Sequence, residues 1–137
     1  MWRANSEATS LLLGQLKTPL PVWPTLYPGL DIIANRITPS HCDQGGALTF
    51  YDHLVNFGHA QHAQLELEEL DAKFAYKPGT SVLFPGKGLS HAVPDWGEGE
   101  RVVIAHYGKD IIQDKIGVAR PSLPTQLGWW SKYNTAK

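Results

Sequence analysis

The chain has 137 residues, of which 42% are hydrophobic and 18% charged, and its formal net charge is −1. This is the size and composition of one soluble domain, and no apolar run approaches the roughly 20 residues that a membrane-spanning helix needs. The single cysteine, Cys42, excludes an intramolecular disulfide and any zinc site built on cysteine pairs. We therefore expect one intracellular domain with no membrane partner.

Ten prolines and thirteen glycines divide the chain into short segments, which favours strands and turns over long helices. Residues 1–30 are expected to form an N-terminal helix, at 6–16, and a proline-rich lead-in. The core is expected at 31–109, where apolar or alternating runs predict strands at 31–38, 47–57, 64–68, 72–76, 80–84, 89–93 and 101–107. A C-terminal helix, capped by Asp110 and ended by Gly117, then leads into a tail that reaches residue 137.

The predicted strands recur every 8–12 residues with turn signals between them, which indicates an antiparallel sandwich or barrel. Within 64–68, Leu65 and Leu67 alternate with glutamates and are expected to point into the core. In the next predicted strand, Phe74 and Tyr76 are expected to share one face. The sequence thus predicts a mainly β fold.

Four residues combine into a candidate site. His41 and Asp43 are two positions apart, so on extended backbone both side chains can reach one metal ion. His91 lies 48 residues after Asp43, and two histidines with one carboxylate form the facial triad of non-haem Fe(II) oxygenases. Arg101, ten residues further on, is placed to pair bidentately with a carboxylate bound in the same barrel.

This pattern resembles that of the 2-oxoglutarate- and Fe(II)-dependent dioxygenases. The surrounding segments are ANRITPSHCD at 34–43, YDHLVNFG at 51–58, FAYKPGT at 74–80 and SHAVPDWGEGER at 90–101. They are similar to the oxygenase-domain proteins of the TET/JBP type, which are numerous in mushroom-forming (basidiomycete) fungi. The resemblance covers roughly residues 31–115.

The resemblance implies a double-stranded β-helix, or jelly roll, with one or two flanking helices. It implies that His41, Asp43 and His91 bind Fe(II) and form the catalytic centre, and that Arg101 binds the distal carboxylate of 2-oxoglutarate. The co-substrates would be 2-oxoglutarate and dioxygen. The substrate would be a methyl group of 5-methylcytosine or thymine in DNA.

Other polar residues are candidates for contacts that support this site. Family members often have a polar residue two positions after the arginine, where this chain has Val103. Tyr51, Asn35 and Asn56 are candidate partners for 2-oxoglutarate or for the ligand imidazoles, and the sequence does not choose among them.

Several alternatives stay open. The protein could be a dioxygenase that acts on a small molecule, a peptide or RNA, or a jelly-roll binding protein without turnover. A cupin-like metal-binding protein would share the architecture. Residues 41–100 carry nine acidic and three basic side chains, which weakens the case for DNA. The DNA hypothesis implies a nuclear location and the others a cytoplasmic one, and the sequence leaves the oligomeric state undetermined.

Overall fold

The computed structural model describes residues 26–117, 119–120 and 122. The predicted helix at 6–16 and most of the lead-in and tail therefore lie outside the described residues. No helix within them is long and apolar enough to cross a membrane.

The described residues form eight strands and two short helical segments. The strands are β1 (Gly29–Ala34), β2 (Thr38–His41), β3 (Asp52–Gly58), β4 (Gln64–Leu67), β5 (Ala72–Ala75), β6 (Ser81–Phe84), β7 (His91–Val93) and β8 (Arg101–Tyr107). A 3-10 helix, Glu68–Leu70, connects β4 to β5, and helix α1 (Asp110–Ile116) follows β8.

The strands build two antiparallel sheets of four strands each, in the orders β1-β8-β3-β6 and β2-β7-β4-β5. We call the first, which has the longer strands, the large sheet and the second the small sheet. Because most consecutive strands change sheet, the chain winds around a common interior, as in a jelly roll. The predicted fold class is confirmed, with one flanking α-helix in the described part and with two sheets that do not close into a barrel.

The hydrophobic core lies between the two sheets. Its buried members are Ala63, Leu65, Leu67, Tyr76, Phe84, Val93 and Val103. The inward orientation of the two leucines is confirmed. Phe74 lies opposite the inward-pointing Leu65, and the Tyr76 amide donates to the Ala63 carbonyl in the same register, so the two aromatic residues share a face as predicted. Tyr76 is buried, whereas Phe74 stays largely exposed because β5 is an edge strand.

The segment 31–38, predicted as one strand, is divided between both sheets. Asn35 has a left-handed backbone (φ 48°) and turns the chain from β1 into β2. The Asn35 amide donates to the Arg101 carbonyl at 2.8 Å, and the Arg101 amide donates to Asn35 Oδ1 at 2.9 Å. This turn therefore fixes the first residue of β8.

Two other boundaries differ from the sequence-based expectation. The predicted strand at 47–57 begins only at Asp52, because residues 47–50 form a turn in which the Phe50 amide donates to the Ala47 carbonyl at 3.0 Å. Asp110 is the first residue of α1 and not its cap, since its carboxylate pairs with Arg120. Gly117 ends the helix in the left-handed conformation, as predicted.

Candidate metal centre and its cavity

Three potential metal ligands meet where β2 and β7 pair. His41 ends β2 and lies directly opposite His91, the first residue of β7, while Asp43 follows β2. Asp43 Oδ1 is 3.4 Å from His41 Nε2 and 3.9 Å from His91 Nε2. One ligand atom of each residue lies within 4.8 Å of the others, so the three side chains are close enough to bind a single ion.

Both imidazoles are oriented through Nδ1. His41 Nδ1 donates to the Pro39 carbonyl at 2.8 Å, and His91 Nδ1 donates to the Leu89 carbonyl at 3.0 Å. Because a carbonyl oxygen only accepts, Nδ1 carries a hydrogen in both rings and Nε2 is the nitrogen that can bind a metal, the arrangement typical of metal-bound histidine. Burial also lowers the pKa of His91, which favours the neutral ring that binds metals.

The Asp43 carboxylate lies beside a second, buried carboxyl group. Burial, together with the charge of Asp43 and a hydrogen bond to it, raises the pKa of Asp52 to about 7. The Asp43 amide donates to the Gly86 carbonyl at 2.8 Å. A methyl group at Gly86 would collide with Asp43 Oδ2 and lie 2.6 Å from Asp52 Oδ2, so this glycine leaves the space that both carboxylates occupy.

A cavity of about 160 Å³ connects these ligands to Arg101 in the large sheet. All three potential ligands line it, as do alternate residues of β8. The β8 residues in its wall are Arg101, Val103, Ala105 and Tyr107. The period-two pattern of a strand therefore places Arg101 in the same interior space as the candidate metal centre.

Arg101 is 3% exposed, and its guanidinium contacts two aromatic rings, with Cζ 5.5 Å from the Tyr76 ring centroid and 5.9 Å from that of Trp96. Its Nη1 donates to the Arg36 carbonyl at 3.2 Å, whereas Nε has no hydrogen-bond partner. Burial lowers the pKa of Arg101. No carboxylate of the described residues pairs with it, and a buried cation without a counter-charge is costly, so this end of the cavity suits an anionic ligand.

The other predicted contact residues occupy different places. Asn35 holds the backbone of Arg101 and Asn56 holds that of Tyr76, since Asn56 Nδ2 donates to the Tyr76 carbonyl. Tyr51 is not among the cavity-lining residues. Direct contacts of Asn35 and Tyr51 with 2-oxoglutarate stay predictions.

Three residues of the site were not found from the sequence: Asp52, Tyr76 and Gly86. Asp52 and Tyr76 are separated from the four predicted residues along the chain, and only the pairing of the sheets brings them into the same cavity. The turn at 85–88 was recognisable from its glycines. The sequence did not show that the carboxylates of Asp43 and Asp52 pack against Gly86.

The donor set fits the metal and co-substrate that the resemblance implies. Two neutral imidazoles and one carboxylate are the ligands of non-haem Fe(II) sites with open coordination positions. The unpartnered Nε of Arg101 in the same cavity fits a bound carboxylate, because bidentate pairing would use this otherwise buried and unused donor.

Comparison with known proteins agrees with the fold. No protein-family model matches the chain, and no curated protein matches it. Among solved structures, it is similar to NgTET1 in complex with 5mC DNA, with a TM-score of 0.60 and 19% sequence identity. The match covers 95% of this chain and 50% of the NgTET1 chain, so this chain spans half the length of that protein. At this identity the similarity establishes the fold, and the chain accordingly has a TET-like jelly roll with a candidate His-Asp-His metal centre inside it.

Proposed function

We propose that this protein is a 2-oxoglutarate- and Fe(II)-dependent dioxygenase of the TET/JBP-like type that is abundant in basidiomycete fungi. The proposal rests mainly on one observation. A His-Asp-His group and a buried arginine without a carboxylate partner among the described residues face the same interior cavity. Side chains that only stabilise the fold would not need both the His-Asp-His group and an arginine without a carboxylate partner. A metal with a bound 2-oxo dicarboxylate uses both.

In this proposal His41, Asp43 and His91 hold Fe(II), and Arg101 pairs with the distal carboxylate of 2-oxoglutarate. The bound iron with 2-oxoglutarate and dioxygen supplies the oxidising chemistry, in which 2-oxoglutarate becomes succinate and carbon dioxide and a substrate C–H becomes C–OH. The protein orients the imidazoles through the Pro39 and Leu89 carbonyls. It also keeps water from Arg101 by burial.

The substrate we propose is the methyl group of 5-methylcytosine, or of thymine, in DNA, which implies a nuclear location. Support comes from the similar fold of NgTET1, whose structure is a complex with 5mC DNA. Tyr107 and Lys109 line the other end of the cavity together with Asp31, and the Tyr107 hydroxyl donates to Asp31 Oδ1 at 3.3 Å. An aromatic ring with adjacent hydrogen-bonding groups is the kind of surface on which a base removed from the stack is bound.

The charge distribution favours a second candidate, a dioxygenase that acts on a small molecule or a peptide from the cytoplasm. Residues 41–100, which surround much of the cavity, carry nine acidic and three basic side chains. Such a surface repels the phosphate backbone that a DNA-modifying enzyme must grip.

The first test is the thermal stability of the full chain with Mn(II), a redox-silent substitute for Fe(II), with and without 2-oxoglutarate. Ligands that bind only the folded state raise its apparent stability, so we expect Mn(II) to raise Tm and 2-oxoglutarate to raise it further only when Mn(II) is present. Asp43→Asn should abolish both increases. Glu98→Gln, which changes an exposed carboxylate, should retain them.

Absence of any shift in the wild type would contradict the proposed function and favour a jelly-roll binding protein. If the shifts occur, aerobic turnover with Fe(II) should produce one succinate for each 5-hydroxymethylcytosine in methylated duplex DNA. Succinate that forms equally with methylated and unmethylated DNA would reject the DNA substrate and keep the enzyme class.

A further inference from the structure

Tyr76 lines the cavity, and its buried hydroxyl group has no hydrogen-bond partner in the part of the chain that the structure describes. Tyr76 is 0% exposed and lines the cavity beside Arg101, yet its hydroxyl makes no hydrogen bond with the described residues. Leaving a hydroxyl desolvated and unpaired is costly, and buried polar groups of this kind call for an explanation. A hydrogen bond that forms only when a ligand is bound is one such explanation.

The protein holds Tyr76 firmly in this position. The Tyr76 amide donates to the Ala63 carbonyl at 2.8 Å, and its carbonyl accepts from Asn56 Nδ2. The ring packs in the core cluster while the Arg101 guanidinium lies over it, with Cζ 5.5 Å from the centroid. Burial raises the pKa of Tyr76 to about 12, so the phenol keeps its proton and can donate it in a hydrogen bond.

We propose that the Tyr76 hydroxyl is a second donor, beside Arg101, to the distal carboxylate of the 2-oxo acid co-substrate. The pair would make the site selective for a dicarboxylic 2-oxo acid over a monocarboxylic one. This inference rests on the proposed function, because it assigns a role to Tyr76 in the same cavity.

The selectivity follows from what each ligand leaves unpaired. A carboxylate offers about four acceptor sites, enough for a guanidinium and a phenol at once. Within the same stretch of wall, Val103 contributes only an apolar surface. A ligand with a methyl group in place of the distal carboxylate would leave Arg101 Nε and the Tyr76 hydroxyl buried without an acceptor. Sites that hydrogen-bond one group strongly reject analogues that lack it.

The test compares two ligands on two variants of the full chain loaded with Mn(II). The ligands are 2-oxoglutarate and 2-oxopentanoate, which has the same carbon skeleton but a methyl group instead of the distal carboxylate. We expect Tyr76→Phe to weaken 2-oxoglutarate binding about ten- to a hundredfold, the effect of losing a hydrogen bond to a charged group. The already weak binding of 2-oxopentanoate should not change.

A second readout separates ligand binding from a structural role. Without ligand, the Tm of Tyr76→Phe should equal or exceed that of the wild type, because the substitution removes an unsatisfied buried hydroxyl. Tyr51→Phe provides the comparison, since Tyr51 was the tyrosine that the sequence suggested for this role.

The outcomes distinguish this inference from the proposed function. If wild-type protein with Mn(II) does not bind 2-oxoglutarate, both fail. If the wild type binds and Tyr76→Phe binds equally well, or if Tyr51→Phe shows the loss instead, the role of Tyr76 is rejected and the dioxygenase proposal stands. A lower ligand-free Tm together with equal losses for both ligands would also reject it, as the sign of a purely structural contact.

Discussion

Gly86 illustrates how closely the two carboxylates of the candidate centre are packed. A Cβ atom at this position would overlap Asp43 Oδ2 and crowd Asp52 Oδ2. We expect Gly86→Ala to displace Asp43 and to weaken Mn(II) binding about ten- to a hundredfold, the range seen when groups that support metal ligands are altered. Metal titration followed by thermal shift or calorimetry would measure this.

The neighbouring Gly88→Ala variant is the matched control. Its new methyl group would meet the Leu48 side chain, 3.2 Å away, and Leu48 is exposed and free to adjust. Its metal affinity should stay within about twofold of the wild type. Equal metal affinity in Gly86→Ala and Gly88→Ala would show that Asp43 tolerates displacement or does not bind the ion.

Spacing along the chain singled out four candidate residues, and it missed those that only packing brings to the same cavity. His41, Asp43, His91 and Arg101 follow a pattern that can be counted along the chain, and the structure brings all four to one cavity. Tyr76 could not be found in this way, because only the pairing of β5 with β4 and contacts with other strands bring it to the cavity.

Among the secondary-structure elements, strand β8 was predicted with its observed bounds because alternation and β-branched residues coincide there. The prediction of one strand at 31–38 was wrong because one residue, Asn35, adopts a left-handed backbone that the apolar pattern does not reveal. The predicted start of the strand at 47–57 was wrong because the first part of this segment is held in a turn by a backbone hydrogen bond. Local composition predicts that strands exist, whereas their ends depend on individual turns.

Strands β3 and β8 carry a pair of stacked histidines outside the candidate centre. His53 and His106 are directly opposed, with ring centroids 5.2 Å apart and planes inclined by 17°. His53 Nε2 also forms a 2.7 Å hydrogen bond with Ser81 Oγ. Burial, and then the proximity of His106, lowers the pKa of His53. Because the folded pKa lies below the unfolded one, acid favours the unfolded state at this position.

This linkage predicts that His53 makes the protein less stable as the pH falls. The contribution of His53 is fully present above its unfolded pKa, and it is lost as the pH falls through that value towards the lower folded pKa. In denaturant titrations with chelator, His53→Gln should therefore lose less stability than the wild type between about pH 7.5 and pH 5. His59→Gln, which changes an exposed histidine, should lose as much as the wild type. A profile for His53→Gln parallel to that of the wild type would contradict the linkage.

For the molecule as a whole, the candidate site spans the interface between the two sheets. The potential metal ligands belong to β2, β7 and the residue segment after β2, all on the side of the small sheet, whereas Arg101 begins β8 in the large sheet. A metal alone would connect strands within one sheet. A dicarboxylate bound to both the metal and Arg101 would connect the two sheets.

Hydrogen exchange measured by mass spectrometry can distinguish the connection made by the metal from the connection made by the dicarboxylate. We expect Mn(II) alone to slow exchange in β2, an edge strand, and in β7. Addition of 2-oxoglutarate should extend protection to β8, by up to about a hundredfold at about 100 times Kd for amides that exchange only after ligand release. Asp43→Asn should show neither effect. Protection of β8 by Mn(II) alone would contradict a separate, co-substrate-dependent link.

The buried guanidinium of Arg101, which pairs with no carboxylate of the described residues, also bears on how long the protein survives. If 2-oxoglutarate supplies the missing counter-charge, the ligand-free protein is the less stable form and unfolds more often. Cells remove unfolded chains continuously, and stability differences of about 1–2 kcal/mol change protein abundance several-fold. The amount of this protein would then rise and fall with the 2-oxoglutarate pool, so that metabolism would set the quantity of the protein as well as its ligand occupancy.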